Sequence, residues 1–206
     1  MLTLLGWLLG LANGVRHALE PDHVAAISTL VAEQKNTRRA AAFAAAWGLG
    51  HGAMLLAVGG TLIALRARMP PRIEQALELG VALMLVLLGG RAIRVAVSLA
   101  RGNAHDPKPS ARRPFFIGIM HGLAGSGALT ALIASEMPTP AAGIIALVLY
   151  GLGAAVGMAL LASLASVPLE SVARSRRGLP LLLAGTGLAS LVIGAFWGLH
   201  AASALL

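Results

Sequence analysis

Residues 16 to 23 read Arg16-His17-Ala18-Leu19-Glu20-Pro21-Asp22-His23. Five of these eight side chains ionise, inside a stretch that is otherwise apolar. Charge at bilayer depth costs free energy, so such groups usually pair with one another or serve a function. Imidazoles with carboxylates form the donor set of borderline divalent ions such as nickel, cobalt and zinc. His17, Glu20, Asp22 and His23 are therefore the first candidates for a metal site. On a straight helix His17 and His23 stand about 240° apart and cannot hold one ion together. Pro21 changes that, because it lacks an N–H and its ring clashes with the carbonyl four residues earlier, so the helix must break there. A broken helix is tolerated in a membrane where it lines a cavity, and the freed His17 carbonyl becomes a further candidate oxygen donor. Arg16 is expected either to offset a surplus carboxylate or to sit against backbone carbonyls.

Two other histidines lie in apolar stretches. His51 stands between glycines in Trp47-Gly48-Leu49-Gly50-His51-Gly52, and His121 stands in Met120-His121-Gly122. Small neighbours let another backbone or an ion come close. Both join the candidate ligands. Ser126 and Thr130, one turn apart, read as helix–helix hydrogen bonds. His200, beside Trp197, reads as an interfacial residue, and His105-Asp106 is too short for a metal-storage tract. Met120 beside His121 leaves copper(I) as a minor option.

The elements that must position these groups are membrane helices. Of 206 residues, 57% are hydrophobic and 12% are charged, and the mean hydropathy is +0.81. A soluble domain carries about twice that charge. Without cysteine there is no disulfide framework, iron–sulfur ligation or thiolate metal site. Six stretches can cross about 30 Å of hydrocarbon: 3–32 with its polar interruption, 40–65, 76–99, 115–135, 141–167 and 179–205. The first lacks the basic start of a cleaved signal peptide. Twelve Lys or Arg fall on one side: Lys35, Arg38, Arg39, Arg91, Arg94, Arg101, Lys108, Arg112, Arg113, Arg174, Arg176 and Arg177. Three fall on the other: Arg66, Arg68 and Arg72. The basic side faces the cytoplasm, which puts both termini outside it. The formal net charge of +8 then belongs to loops near an anionic leaflet, and no nucleic-acid partner is expected.

The two halves repeat weakly. Gly14-Val15-Arg16-His17 matches Gly118-Ile119-Met120-His121, Gly48-Leu49-Gly50-His51 matches Gly151-Leu152-Gly153-Ala154, and Leu88-Gly89-Gly90 matches Ile193-Gly194-Ala195. The near-constant spacing predicts an all-α polytopic membrane protein of six transmembrane helices, two inverted three-helix repeats with the first helix broken at Pro21. The whole chain, 1–206, reads as a single transmembrane domain, with repeat one at 1–100, a cytoplasmic linker at 101–113 and repeat two at 114–206. Inverted repeats with a midplane site are a transporter architecture.

His17-Ala18-Leu19-Glu20-Pro21-Asp22-His23 resembles the His-Ala-x-Asp/Glu-x-Asp-His signature of the nickel/cobalt transporter superfamily. Leu49-Gly50-His51 is similar to that family's Leu-Gly-His motif on the next helix. The resemblance covers the whole layout and implies His17, Asp22, His23 and His51 as metal-recognition residues. The larger uptake permeases have an extra helix before the signature and an acidic Gly-Phe-Asp-Thr-Ala-Thr-Glu motif in the second half. Here His121-Gly122-Leu123-Ala124-Gly125-Ser126-Gly127-Ala128-Leu129-Thr130 stands instead, closer to the short six-helix members of urease-accessory or nickel/cobalt-efflux type. The long His-rich loop of efflux members is absent, so the resemblance leaves transport direction open.

The leading expectation is a secondary transporter of Ni2+ or Co2+ in a bacterial cell membrane. The ion is substrate and no catalytic cofactor is expected. No Gly-x-x-x-x-Gly-Lys-Ser/Thr loop is present, so the chain does not hydrolyse ATP. Ligand histidines must be neutral, so affinity falls in acid. The second reading is a metal-handing membrane accessory protein for urease or hydrogenase maturation, with a metallochaperone or a second copy as partner. A rhomboid-type intramembrane protease using Ser126 and His200 is remote, because Ala124-Gly125-Ser126-Gly127 is not Gly-x-Ser-Gly and cluster 17–23 would go unused. Anion export through Arg16 is disfavoured by the carboxylates beside it.

Overall fold

The computed structural model describes residues 2–31, 34, 37–103, 112–124, 133, 137–173, 175 and 177–205. Seven α-helices and no strand occur among them. They are α1 (Leu2–His17), α2 (Pro21–Val31), α3 (Thr37–Leu65), α4 (Pro71–Ala100), α5 (Arg112–Ala124), α6 (Pro140–Ala173) and α7 (Gly178–Leu205). Four of them (α3, α4, α6 and α7) are long and apolar enough to cross a membrane. These correspond to the expected spans two, three, five and six. With 16, 11 and 13 residues, α1, α2 and α5 each fall short of the roughly 20 that a crossing needs.

The break in the first span comes where Pro21 requires it: α1 ends at His17, a turn covers 18–20, and Pro21 opens α2. One expectation is corrected here. The His17 carbonyl is not left free, because the Glu20 N–H donates to it at 3.0 Å in the tight turn. Arg16 is exposed on the outside of the bundle rather than turned into the cluster. α5 begins at Arg112, two residues inside the expected linker 101–113. Pro114 falls in its first turn, where no helical N–H is needed. Ser126, Thr130, His105, Asp106, Lys35, Lys108, Arg174 and Arg176 lie outside the described residues.

Close glycine contacts set the helix directions. Gly48 lies against Ala155 and Gly52 against Gly151, so α3 and α6 are antiparallel. Gly118 lies against Trp47 and His51, and Gly122 against His51 and Met54, so α5 runs with α3. Gly10 lies against Ala146 and Gly14 against Tyr150 and Ala154, so α1 runs with α6. α1 and α5 therefore point in opposite directions. α4 and α7 are antiparallel, with Gly89 on Gly187 and Gly194 on Ala82.

These contacts also correspond between the halves. Gly14 meets Tyr150 and Ala154, and Gly118, its match 104 residues on, meets Trp47 and His51. Gly50 meets Phe115 and Ile119, and Gly153 meets Leu11 and Val15. Two bodies result. One is a block of α1, α3, α5 and α6. The other is the α4/α7 pair, joined internally by its glycines and by Ser190 Oγ donating to the Leu85 carbonyl at 2.9 Å. The pair touches the block far less than either packs within itself. α2 lies between them, and Thr29 Oγ1 donates to the Thr186 carbonyl of α7 at 3.2 Å.

Candidate metal centre

Breaking the first span lets residues six apart in sequence meet. His17 ends α1 and His23 sits in the first turn of α2, and their ring centroids are 4.3 Å apart. α3 brings His51, 5.2 Å from each of those rings. The last turn of α5 brings His121, whose ring lies 4.1 Å from that of His23. All four are buried, His23 and His51 to 1% exposure. Trp47 stacks on His23 at 5.6 Å, and Tyr150 lies 5.4 Å from His17. α1 ends at the cluster. Helix C-termini carry partial negative charge, which favours a cation there.

The carboxylates decide which ring nitrogens are free. Asp22 bridges two imidazoles: His23 Nδ1 donates to Oδ1 at 3.0 Å and His121 Nε2 donates to Oδ2 at 2.7 Å. Glu20 accepts from His17 Nδ1 at 3.0 Å. A carboxylate only accepts, so those nitrogens carry the protons and the opposite nitrogen of each ring keeps its lone pair. His17 Nε2, His23 Nε2, His121 Nδ1 and both nitrogens of His51 are buried with no hydrogen-bond partner. A buried polar atom without a partner is costly, so four such rings together mark a candidate site for an ion or for water.

Ligand atoms of His17, His23 and His51 all lie within 4.8 Å of one another, as do those of Asp22, His23 and His121. His23 belongs to both sets. In the first set each ring keeps a buried nitrogen without a hydrogen-bond partner. In the second, Asp22 is committed to hydrogen bonds. Carboxylate–histidine–metal chains of this kind fix the ring tautomer and raise its basicity. All six candidates (His17, Glu20, Asp22, His23, His51 and His121) thus come together, with Glu20 and Asp22 hydrogen-bonded to the imidazoles.

A cavity of about 180 Å³ reaches this cluster and is lined also by Glu78, Val81, Ala124 and Trp197. Sequence reasoning did not single out Glu78 for this site, although a carboxylate inside an apolar span is a signal in its own right. It also missed Trp47, which precedes His51 by one helical turn, and Tyr150, which matches Trp47 in the repeat. His200 is exposed on α7. A larger cavity of about 350 Å³, between the end of α3 and the start of α6, is lined by Arg66 and Arg68, whose charge repels a cation.

No protein-family model and no solved structure matches the chain. The urease accessory protein UreH of Bacillus sp. (strain TB-90) is 33% identical over 198 residues, covering 90% of this chain and 87% of its own. That relative is named an accessory protein, in keeping with the non-enzymatic reading of the sequence. Identity at that level over nearly the full length of both chains establishes that this multi-pass, all-helical chain belongs to the family of the urease accessory protein UreH.

Proposed function

We propose that this chain carries a divalent transition-metal ion, Ni2+ or Co2+, across the bacterial cytoplasmic membrane through the imidazole cluster. One observation carries the reading: three buried imidazoles bring ligand atoms within 4.8 Å of one another, each keeps a buried nitrogen with no hydrogen-bond partner, and two of them are held by a carboxylate at the other nitrogen. His17, His23 and His51 are the ligands. His121 is the alternative donor around His23, and Glu20 and Asp22 orient the rings. The imidazole set accepts nickel and cobalt alike.

The architecture proposed is six spans in two inverted three-helix repeats. The opposed directions of α1 and α5 support it, as do the matched glycine contacts of the two halves. The 12-to-3 loop asymmetry supports termini outside the cytoplasm. Purified protein reconstituted in liposomes should admit Co2+ or Ni2+ to a metal-sensitive dye, and His51→Ala should not. Equal uptake by wild type, His51→Ala and protein-free liposomes overturns the transport reading.

The relative's name favours a second reading, in which the cluster receives nickel and hands it to a urease maturation partner. Metal binding without uptake into liposomes selects it.

A further inference from the structure

The imidazole cluster explains one wall of the 180 Å³ cavity but not the other. The other wall comes from the α4/α7 pair, with Glu78 and Val81 on α4 and Trp197 on α7. Glu74 precedes Glu78 by one turn on α4, and His200 follows Trp197 on α7. Both lie within electrostatic reach of Glu78. Glu78 is the eighth residue of a helix that begins at Pro71. At 1.5 Å per residue that is roughly 10 Å from the helix start. His200 is near the end of α7, which runs antiparallel. Both residues therefore mark the end of the bundle where α4 begins and α7 finishes.

A carboxylate at this depth costs free energy that packing alone does not return. Neutral imidazoles bind a dehydrated ion well, but they exert no net attraction on a hydrated one. Asp22 is 4% exposed and already accepts from two rings. Glu78 is partly exposed and lies on the same cavity as the fully buried, unpartnered nitrogens of His51.

We propose that Glu78 is the admission group for the ion: the carboxylate that a hydrated divalent cation meets at the α4/α7 end of the cavity before it passes to His17, His23 and His51. This rests on the metal-site reading above, and it assigns a separate step, loading rather than holding. Negative charge at the mouth of a low-dielectric cleft raises cation association by about 10- to 1,000-fold and fades with ionic strength.

The test is stopped-flow loading of purified protein with Co2+, followed by the visible absorption of imidazole-bound cobalt. Glu78→Gln should load at least about tenfold more slowly yet reach the wild-type spectrum, and Glu78→Asp should recover most of the rate. Wild-type loading should slow as salt rises, a measurement that needs no variant. Because the chain has no cysteine, Glu78→Cys gives a single thiol, which a charged thiol reagent should modify and Co2+ should protect. Wild-type rates in Glu78→Gln, salt-independent loading, or an unreactive Glu78→Cys overturns the proposal and leaves the metal site standing. A wild-type chain that develops no cobalt spectrum overturns the metal site itself, and this inference with it.

Discussion

The α1/α3/α5/α6 block and the α4/α7 pair are built by the same means and serve different ends. In both, glycines let backbones touch: Gly118 on Trp47 in the block, and Gly89 on Gly187 in the pair. The imidazoles come from the block, which carries His17, His51 and His121, and from α2, which carries His23 and packs against both bodies. The pair contributes Glu78, Val81 and Trp197 to the cavity and is lightly attached to the block through α2 and α5. Close backbone contact makes each body stiff, and sparse contact between them leaves the cavity wall as the surface that can shift. His23 and Asp22 sit on α2, so the imidazole cluster lies where the two bodies meet.

The largest test of this division is His23→Ala. His23 belongs to both ligand sets, so its loss should lower Co2+ affinity by more than about 100-fold in equilibrium dialysis, beyond the usual effect of a supporting residue. An affinity within threefold of wild type would remove the imidazole cluster's claim to the ion. Next is Gly118→Ala. The new methyl would strike the Trp47 carbonyl and lie 2.9 Å from His51 N, rigid backbone that cannot yield. Destabilisation near the top of the roughly 1–3 kcal/mol overpacking range is expected in thermal unfolding, with loss of cobalt affinity as α5 moves His121 away. Unchanged melting and affinity would mean that the block is not rigid at this contact.

Asp22→Asn sharpens the role of the carboxylate. An amide accepts on one side and donates on the other, so it cannot serve both His23 and His121 as acceptor. Affinity should fall about 10- to 100-fold, as for other groups that orient a metal-bound histidine. A complete loss like that of His23→Ala would instead make Asp22 a direct ligand. The smallest effect belongs to the pair. A methyl at Gly90 meets nothing within 4 Å, whereas one at Gly89 comes within 2.5 Å of the Gly187 carbonyl. Gly90→Ala should be neutral or stabilising by about 0.5–1 kcal/mol, and Gly89→Ala should destabilise. Equal melting temperatures for the two would deny the pair its tight internal contact.

Much of the site was legible in the residues because its signals are local. Pro21 inside a cluster of ionisable groups forces a helix end, and the chain ends α1 at His17 as that chemistry demands. His51 among glycines announced close approach, and Gly118 and Gly122 do lie on the His51 backbone. The spans built from one long helix were read nearly to their ends, since apolar length decides them. The first span was read as one interrupted stretch, 3–32, and the structure divides it into α1 and α2 at the Pro21 break, while much of the expected span 115–135 lies outside the described residues. Glu78 was passed over because its meaning comes from what faces it across the cavity.

The amino-acid sequence by itself determined the donor types, the absence of thiolates, the helix break and the repeat spacing. These depend on residue chemistry and on backbone rules within a few positions. Tertiary structure decided which imidazole nitrogens are free, since that depends on Asp22 reaching His121 from another helix and on Glu20 turning back to His17. It also decided that Glu20 and Asp22 are hydrogen-bonded to the rings, and that α4 and α7 form a wall of their own. Hydrogen-bond direction and helix docking are set by groups distant in the chain, and no local pattern encodes them.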